Sequence, residues 1–370
     1  MGFVLRPSDR LWFRRCRRSW DFGSRLRRNL EPAPPPFAPD LEQALRDALA
    51  VYYFPGMWEW DRSIVRPLVA QELDRGLHRP RTAAPGVTDE EFARWEAELA
   101  TGRELIGQYL DWAPSVDRFW PVRVATDFDV QVPDWRAPGQ DLVSPAGEPI
   151  RYQGRVDMLV VDEHDAYWVV RHRLARDRFS DFDLLALDDG LVAAGWAWEI
   201  FYLGMRVAGT IHNELLLGGT PPPDAAEPVR RPRPARAFAA ARAEHRRMYA
   251  QAEQIPSEVV VEEGGGMFRR TYIPRGEAEL AGLGRNLAGE ALDMVDPHLA
   301  VYPTPAAHCS ECAFRPPCLA LQQGADAEAI LAAGYRTRPP ETPEEGRLGG
   351  ATWSMNRGAA PPPRWRDRNP

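Results

Sequence analysis

The residues best equipped for chemistry are the four cysteines, since all of them fall into one pattern. Cys309, Cys312 and Cys318 form C-x2-C-x5-C late in the chain, and Cys16 stands alone near its start. Where a compartment keeps thiols reduced, two cysteines separated by two residues more often bind a metal than form a disulfide. Four thiolates can hold tetrahedral zinc or a [4Fe–4S] cluster, and spacing alone does not choose between them. One ligand from the N-terminus and three from the C-terminus would staple both ends of a domain together, which suits a structural site better than electron transfer.

Basic chemistry rests on arginine alone. All 46 residues counted as Lys plus Arg are arginine, which excludes any lysine-based mechanism. Although the net charge is −7, residues 1 to 30 carry nine arginines against only Asp9 and Asp21. Arg14, Arg15, Arg17 and Arg18, interleaved with Trp12, Phe13, Trp20 and Phe22, are therefore candidate phosphate contacts, with a solvated basic face as the plainer reading.

These groups sit in a chain of 370 residues, long enough to bury a sizeable core, with 44% hydrophobic residues and 13 tryptophans. The 36 prolines require long loops or tails. No stretch approaches the roughly 20 apolar residues of a membrane span, so a soluble, cytoplasmic protein is expected.

The elements that must position the chemistry follow from periodicity. Helical spacing over Leu41 to Tyr53 behind Asp40, and over Thr88 to Trp112 with Thr88 and Glu91 as a capping box, predicts a helical insertion at about 40–115. From Pro121 the period shortens, and Val122 to Val132, Gln153 to Val161, Tyr167 to Leu174, Arg206 to Leu217 and Met267 to Ile273 read as strands. The second and third of these flank a hairpin loop centred on His164. Leu184 to Leu203 reads as one buried helix, residues 237 to 253 and 275 to 295 as two more. A linker rich in proline and arginine fills 218 to 236, and a cysteine-bearing segment 296–320 closes a domain of residues 1–338. Residues 339–370, rich in Pro, Gly and Arg, are expected to be a disordered tail.

Two stretches carry a resemblance to a known family. Arg14-Arg15-Cys16-Arg17-Arg18-Ser19-Trp20, taken with Tyr302-Pro303, Cys309, Cys312 and Cys318, resembles the iron–sulfur staple of RecB-like and AddB-like exonucleases of the PD-(D/E)XK nuclease superfamily. Tyr152-Gln153-Gly154-Arg155-Val156-Asp157 is similar to that family's Gly-x-x-Asp strand, and Tyr167 to Arg173 to the strand that presents (D/E)-x-K. The resemblance implies an α/β restriction-endonuclease-like core, a mixed central sheet flanked by helices, and a [4Fe–4S] cluster on Cys16, Cys309, Cys312 and Cys318, with zinc as the alternative.

It also implies a damaged active site. Family chemistry needs two carboxylates to hold Mg²⁺ and a lysine near the attacking water. Here Asp157 remains, while Arg171 stands for the second carboxylate, Arg173 for the lysine, Arg46 for an upstream His, and Gly190 and Ala194 for a Gln-x-x-x-Tyr pair. A guanidinium neither ligates Mg²⁺ nor acts as a base, so no catalytic Mg²⁺ is expected. Equal steps along the hairpin would put Asp157 opposite Arg171, and a slip of register would bring Arg173 there instead, so that Arg171, Arg173 or both fill the vacated metal site with a guanidinium. Strand alternation assigns His172 to the other face, as a core residue. The expected role is a nucleic-acid-binding or assembly subunit, with DNA and a helicase or other nuclease-complex subunit as partners. The competing readings are an active nuclease whose ligands have migrated to Asp47, Asp127 or Glu199, and a protein-interaction scaffold without DNA contact.

Overall fold

A computed structural model describes residues 2–33, 40–83, 87–202, 205–219 and 259–339. Their centre is a mixed seven-stranded sheet in the order β1-β4-β5-β6-β8-β7, with β3 on the remaining side of β4. The strands are β1 (Phe3–Leu5), β3 (Phe119–Gln131), β4 (Ile150–Asp162), β5 (Tyr167–Ala175), β6 (Val207–Leu216), β7 (Val260–Gly264) and β8 (Phe268–Pro274). The pairs β1/β4 and β5/β6 are parallel, and the others are antiparallel. A separate two-stranded ladder joins β2 (Leu30–Pro32) to β9 (Tyr335–Thr337).

Helices cover both faces, as the α/β expectation required. On one face lie α3 (Leu41–Tyr52), α4 (Arg62–Ala83) and α5 (Asp89–Val116), whose Leu45, Leu49, Tyr109 and Trp112 pack with Met158, Val160, Trp168 and Val170. On the other lie α7 (Asp189–Phe201) and α8 (Glu277–Val295), where Val192, Trp196, Leu283 and Leu287 meet Val156, Leu159, Val169 and Val207. Burying such side chains supplies about 1.5–3 kcal/mol each, the dominant favourable term.

Local signals set the helix starts. Asp40 accepts from the Gln43 amide at 3.0 Å, and Thr88 and Glu91 form the reciprocal capping box at 3.2 and 3.0 Å. The single helix expected over 184–203 is instead two, a short α6 (Phe182–Ala186) and α7. Asp181 and Asp188 each cap a new helix with their carboxylates, which breaks the run at Leu187. Periodicity alone missed α4, β1, β2, β7 and β9.

The first and last described helices meet. The N-terminal α1 (Pro7–Arg15) and α2 (Arg17–Gly23) pack beside the C-terminal α9 (Arg315–Gln323) and α10 (Ala327–Gly334). A small core of Phe22, Phe314 and Leu331 holds them, extended by rings of Trp12 and Tyr335 that lie 6.2 and 5.3 Å from that of Phe314. A Cβ added at Gly23 would stand 2.0 Å from Trp12 and 2.8 Å from Phe314, so only glycine permits this approach. The helix expected at 237 to 253, nearly all of the linker at 218 to 236 and the tail from 340 lie outside the described residues.

Candidate functional site

The strand pair carrying the expected active site separates where the chemistry would begin. The β4–β5 ladder runs from Val161↔Tyr167 to Met158↔Val170 and stops one step short of Asp157 and Arg171. At the same level both β3 and β4 exchange faces. Val156 belongs to the core under α7 and Met158 to the core under α3, just as Phe128 and Val124 do on β3. Ala125, between the pairs Val124↔Met158 and Thr126↔Val156, has φ of +42°, an uncommon conformation for a side chain that is not glycine.

That inversion turns Asp157 towards α3. Its Oδ2 accepts the backbone N–H of His172 at 2.9 Å, replacing the ladder bond that β4 no longer supplies. Arg46 of α3 stands 3.6 Å from the same carboxylate and donates to the His172 carbonyl at 3.0 Å. Glu42, one turn earlier and paired with Arg46, accepts the next inward amide, Leu174 N–H, at 3.2 Å. Side chains therefore satisfy the splayed edge of β5, and buried backbone groups left without partners would each cost about 1–3 kcal/mol.

Arg171 and Arg173 do not lie beside Asp157, contrary to the expectation drawn from the hairpin. Directly opposed residues share a face only while both strands alternate regularly, and the inversion at Asp157 breaks that rule. Both guanidiniums instead face Asp188, the cap of α7, at 3.4 and 3.6 Å. The other Asp188 oxygen accepts the amides of Gly190 and Leu191 at 3.1 and 3.4 Å. A Cβ on Gly190 would come within 3.3 Å of the Arg171 guanidinium, so this glycine lets Arg171 lie against the first turn of α7. Ala194, one turn further, is buried in the core.

Two histidines flank these strands. His172 is buried as strand alternation predicts, stacked on Tyr53 at 5.8 Å and bonded through Nδ1 to Asn213 at 2.9 Å. Burial pushes its pKa down to about 4; Arg270 and Arg46 add to that, and Asp157 opposes it. His212 is the register partner of Arg171 on β6 and is fully buried. Burial pushes it down to about 3 despite Asp188, with Arg171, Arg275 and Arg173 contributing.

At the other end of the molecule, Cys16 is buried in the extended break between α1 and α2. Cys309 lies in a short 3-10 turn, Ala307–Glu311, and Cys318 in α9. Ser19 accepts from Trp12 at 2.7 Å and faces the Cys312 thiol at 3.8 Å. Burial pushes the Cys318 thiol up, opposed by the adjoining Arg18 and reinforced by Cys16 and Cys312. The segments meet, yet among the described residues no three His, Cys, Asp or Glu side chains are grouped to hold a metal ion. A tetrahedral zinc needs four sulfurs about 2.3 Å from one point. The expected convergence of four thiols is thus corrected to an apposition of the segments that bear them, with Cys16 and Cys312 close enough to Cys318 to act on its thiol.

Most of the N-terminal arginines are engaged within the chain. Arg14 pairs with Asp189 and Glu290, together with the buried Arg10, which donates to Glu290 at 2.7 Å. Arg17 lies 3.5 Å from Asp293 and stacks over Phe13 and Tyr302. Arg18 adjoins Cys318, and Arg15 is exposed. Sequence reasoning had missed Glu42, Asp188, His212 and Arg275. The Glu42–Arg46 spacing of four was a legible signal for the first, and Asp188-Asp189-Gly190 a legible cap for the second. Nothing in the sequence marked the other two.

No protein-family model matches the chain, and no curated protein matches it. Among solved structures, the crystal structure of SSO0001 aligns at 11% identity with a TM-score of 0.28, covering 76% of this chain and 84% of that one. A likeness at that level carries no functional argument.

Proposed function

We propose that the chain is a catalytically silent protein of the PD-(D/E)XK nuclease kind. Its role is that of a nucleic-acid-binding or assembly subunit, with a structural [4Fe–4S] cluster held by Cys16, Cys309, Cys312 and Cys318 across its joined ends. The observation that carries the reading is the employment of Asp157. Its Oδ2 serves the His172 amide and faces Arg46, so one of its two oxygens already serves the fold and a fixed cation stands beside the carboxylate that a divalent ion would have to approach.

The candidates for a migrated second ligand are engaged as well. Asp127 pairs with Arg155 at 2.7 Å, Asp47 accepts from Gln43 at 3.0 Å, and Glu199 accepts the Val207 amide at 2.8 Å. Internal pairing of Arg14, Arg17 and Arg18 favours the assembly branch of the role over broad phosphate contact by the N-terminus.

Anaerobically purified protein, assayed with Mg²⁺ and Mn²⁺ on single- and double-stranded DNA, should show no cleavage. Metal-dependent cutting that Asp157→Ala abolishes would overturn the reading. The same preparation should contain iron and sulfide in equal amounts, about four of each per chain. Stoichiometric zinc without iron would remove the cluster from the proposal. DNA binding that weakens steeply with salt supports the nucleic-acid branch, and none at low salt leaves assembly alone.

A further inference from the structure

We infer that Arg171, Arg173 and His212 form a binding site for a phosphoryl group, set between β5, β6 and the start of α7. The inference deepens the binding role proposed above, but its geometry is independent of the cluster and of catalysis.

Charge is the first argument. Two guanidiniums share a single Asp188 oxygen at 3.4 and 3.6 Å, longer than the roughly 2.8 Å of a well-formed charge-assisted bond. Each guanidinium has five N–H donors, so most remain available, and the trio carries one positive charge in excess. The neighbouring Arg275 contributes nothing to that excess, being held by Thr210, Glu279 and the carbonyls of Leu185 and Ala186. Side-chain exposures of 26% for Arg171 and 40% for Arg173 leave both reachable from solvent.

His212 is the second, independent argument. It is 0% exposed, and neither ring nitrogen has a hydrogen-bond partner among the described residues. Buried polar groups are paired in the great majority of cases, so such a group asks for an explanation. Register places it directly beside Arg171, and its charged neighbours are Asp188, Arg171, Arg275 and Arg173. Since His212 is sealed from solvent, a phosphoryl group must draw Arg171 and Arg173 away from Asp188 to reach it, and the neutral imidazole then offers one N–H beside the guanidinium donors. Arginine suits this task because its planar fork matches phosphate geometry.

The test is a titration of the full-length protein, labelled with ¹⁵N-histidine, by inorganic phosphate at an ionic strength fixed with chloride. The His212 ring signals, identified by their loss in His212→Gln, should move saturably. Arg171→Gln and Arg173→Gln should each weaken binding about tenfold, the usual worth of a hydrogen bond to a charged group. Arg173 lies at the exposed rim, so its variant keeps the test open should Arg171→Gln fold poorly. Unmoved His212 signals, or equal affinity in the wild type and the Arg173 variant, would overturn the site. A mononucleotide and oligonucleotides with and without a 5′-phosphate then identify the source of the phosphoryl group: a free nucleotide, a strand end or the strand's backbone. Nuclease activity would sink the silent reading without touching this titration, whereas DNA binding without a phosphate response would sink only the site.

Discussion

The joined ends and the splayed strands hold themselves together by different means. At the ends, Phe314 is 2% exposed and packs against Trp12, Phe22 and Tyr335, so contact area does the holding. Where β4 leaves β5, packing stops and charge takes over, with Asp157, Glu42 and Arg46 supplying the hydrogen bonds of a missing strand. Apolar contact tolerates any chemistry nearby, which is what a thiol-bound cluster on the proposed reading would need. Polar closure does not: the carboxylate that completes the sheet is, on the proposed reading, the one a metal would require.

Substitutions in the two regions should therefore differ in size and in character. Phe314→Ala should have the largest effect, about 4 kcal/mol in denaturant unfolding, as for other buried aromatic truncations. A cost under 1 kcal/mol would mean that the thiols rather than the rings hold the ends. Asp157→Ala should cost about 2–3 kcal/mol, because it strands the His172 amide and removes the partner of Arg46. Stabilisation by that substitution would instead mark Asp157 as a carboxylate kept for function at the expense of the fold.

The smallest effect is a dependence on pH. His172 has its pKa pushed down to about 4 in the folded chain, so below the unfolded value of 6.5 the unfolded state binds the extra proton. Stability from this residue is fully present above pH 6.5 and is lost as the pH falls towards 4, amounting to about 1.4 kcal/mol at pH 5.5. The groups facing it are Asp157, Arg46, Arg270, Asn213 and Tyr53. His172→Gln should flatten that part of the unfolding profile, and an unchanged slope would assign it to other groups.

The sequence made the five longer strands of the sheet legible because alternation and the hairpin loop are local signals, while the short β1 and β7 escaped it. It also made the identities at the expected active site legible, since residue types need no coordinates. What it hid was orientation. The inversion at Asp157 depends on Ala125, a residue on another strand, and no local period reports a change of face that two strands make together. Arg171 and Arg173 were consequently assigned the wrong carboxylate, and His212 attracted no notice because one histidine in an apolar strand reads as core. The C-terminal helices were obscured for a different reason, since Pro316 and Pro317 suggest a loop although proline is well placed in the first turn of α9.

The pairing of Leu30 with Thr337 also sets an order on the ribosome. Trp12 and Phe22 emerge roughly three hundred residues before Phe314, which at 5–20 residues per second is a delay of about 15–60 s. Throughout that interval Trp12 and Phe22 lack the Phe314 ring that covers them, although Phe13 and Trp20 can already join the core under α7. Truncation anywhere before Phe314 therefore leaves the Phe22 side of these helices uncovered, an aromatic surface open to capture by chaperones or proteases.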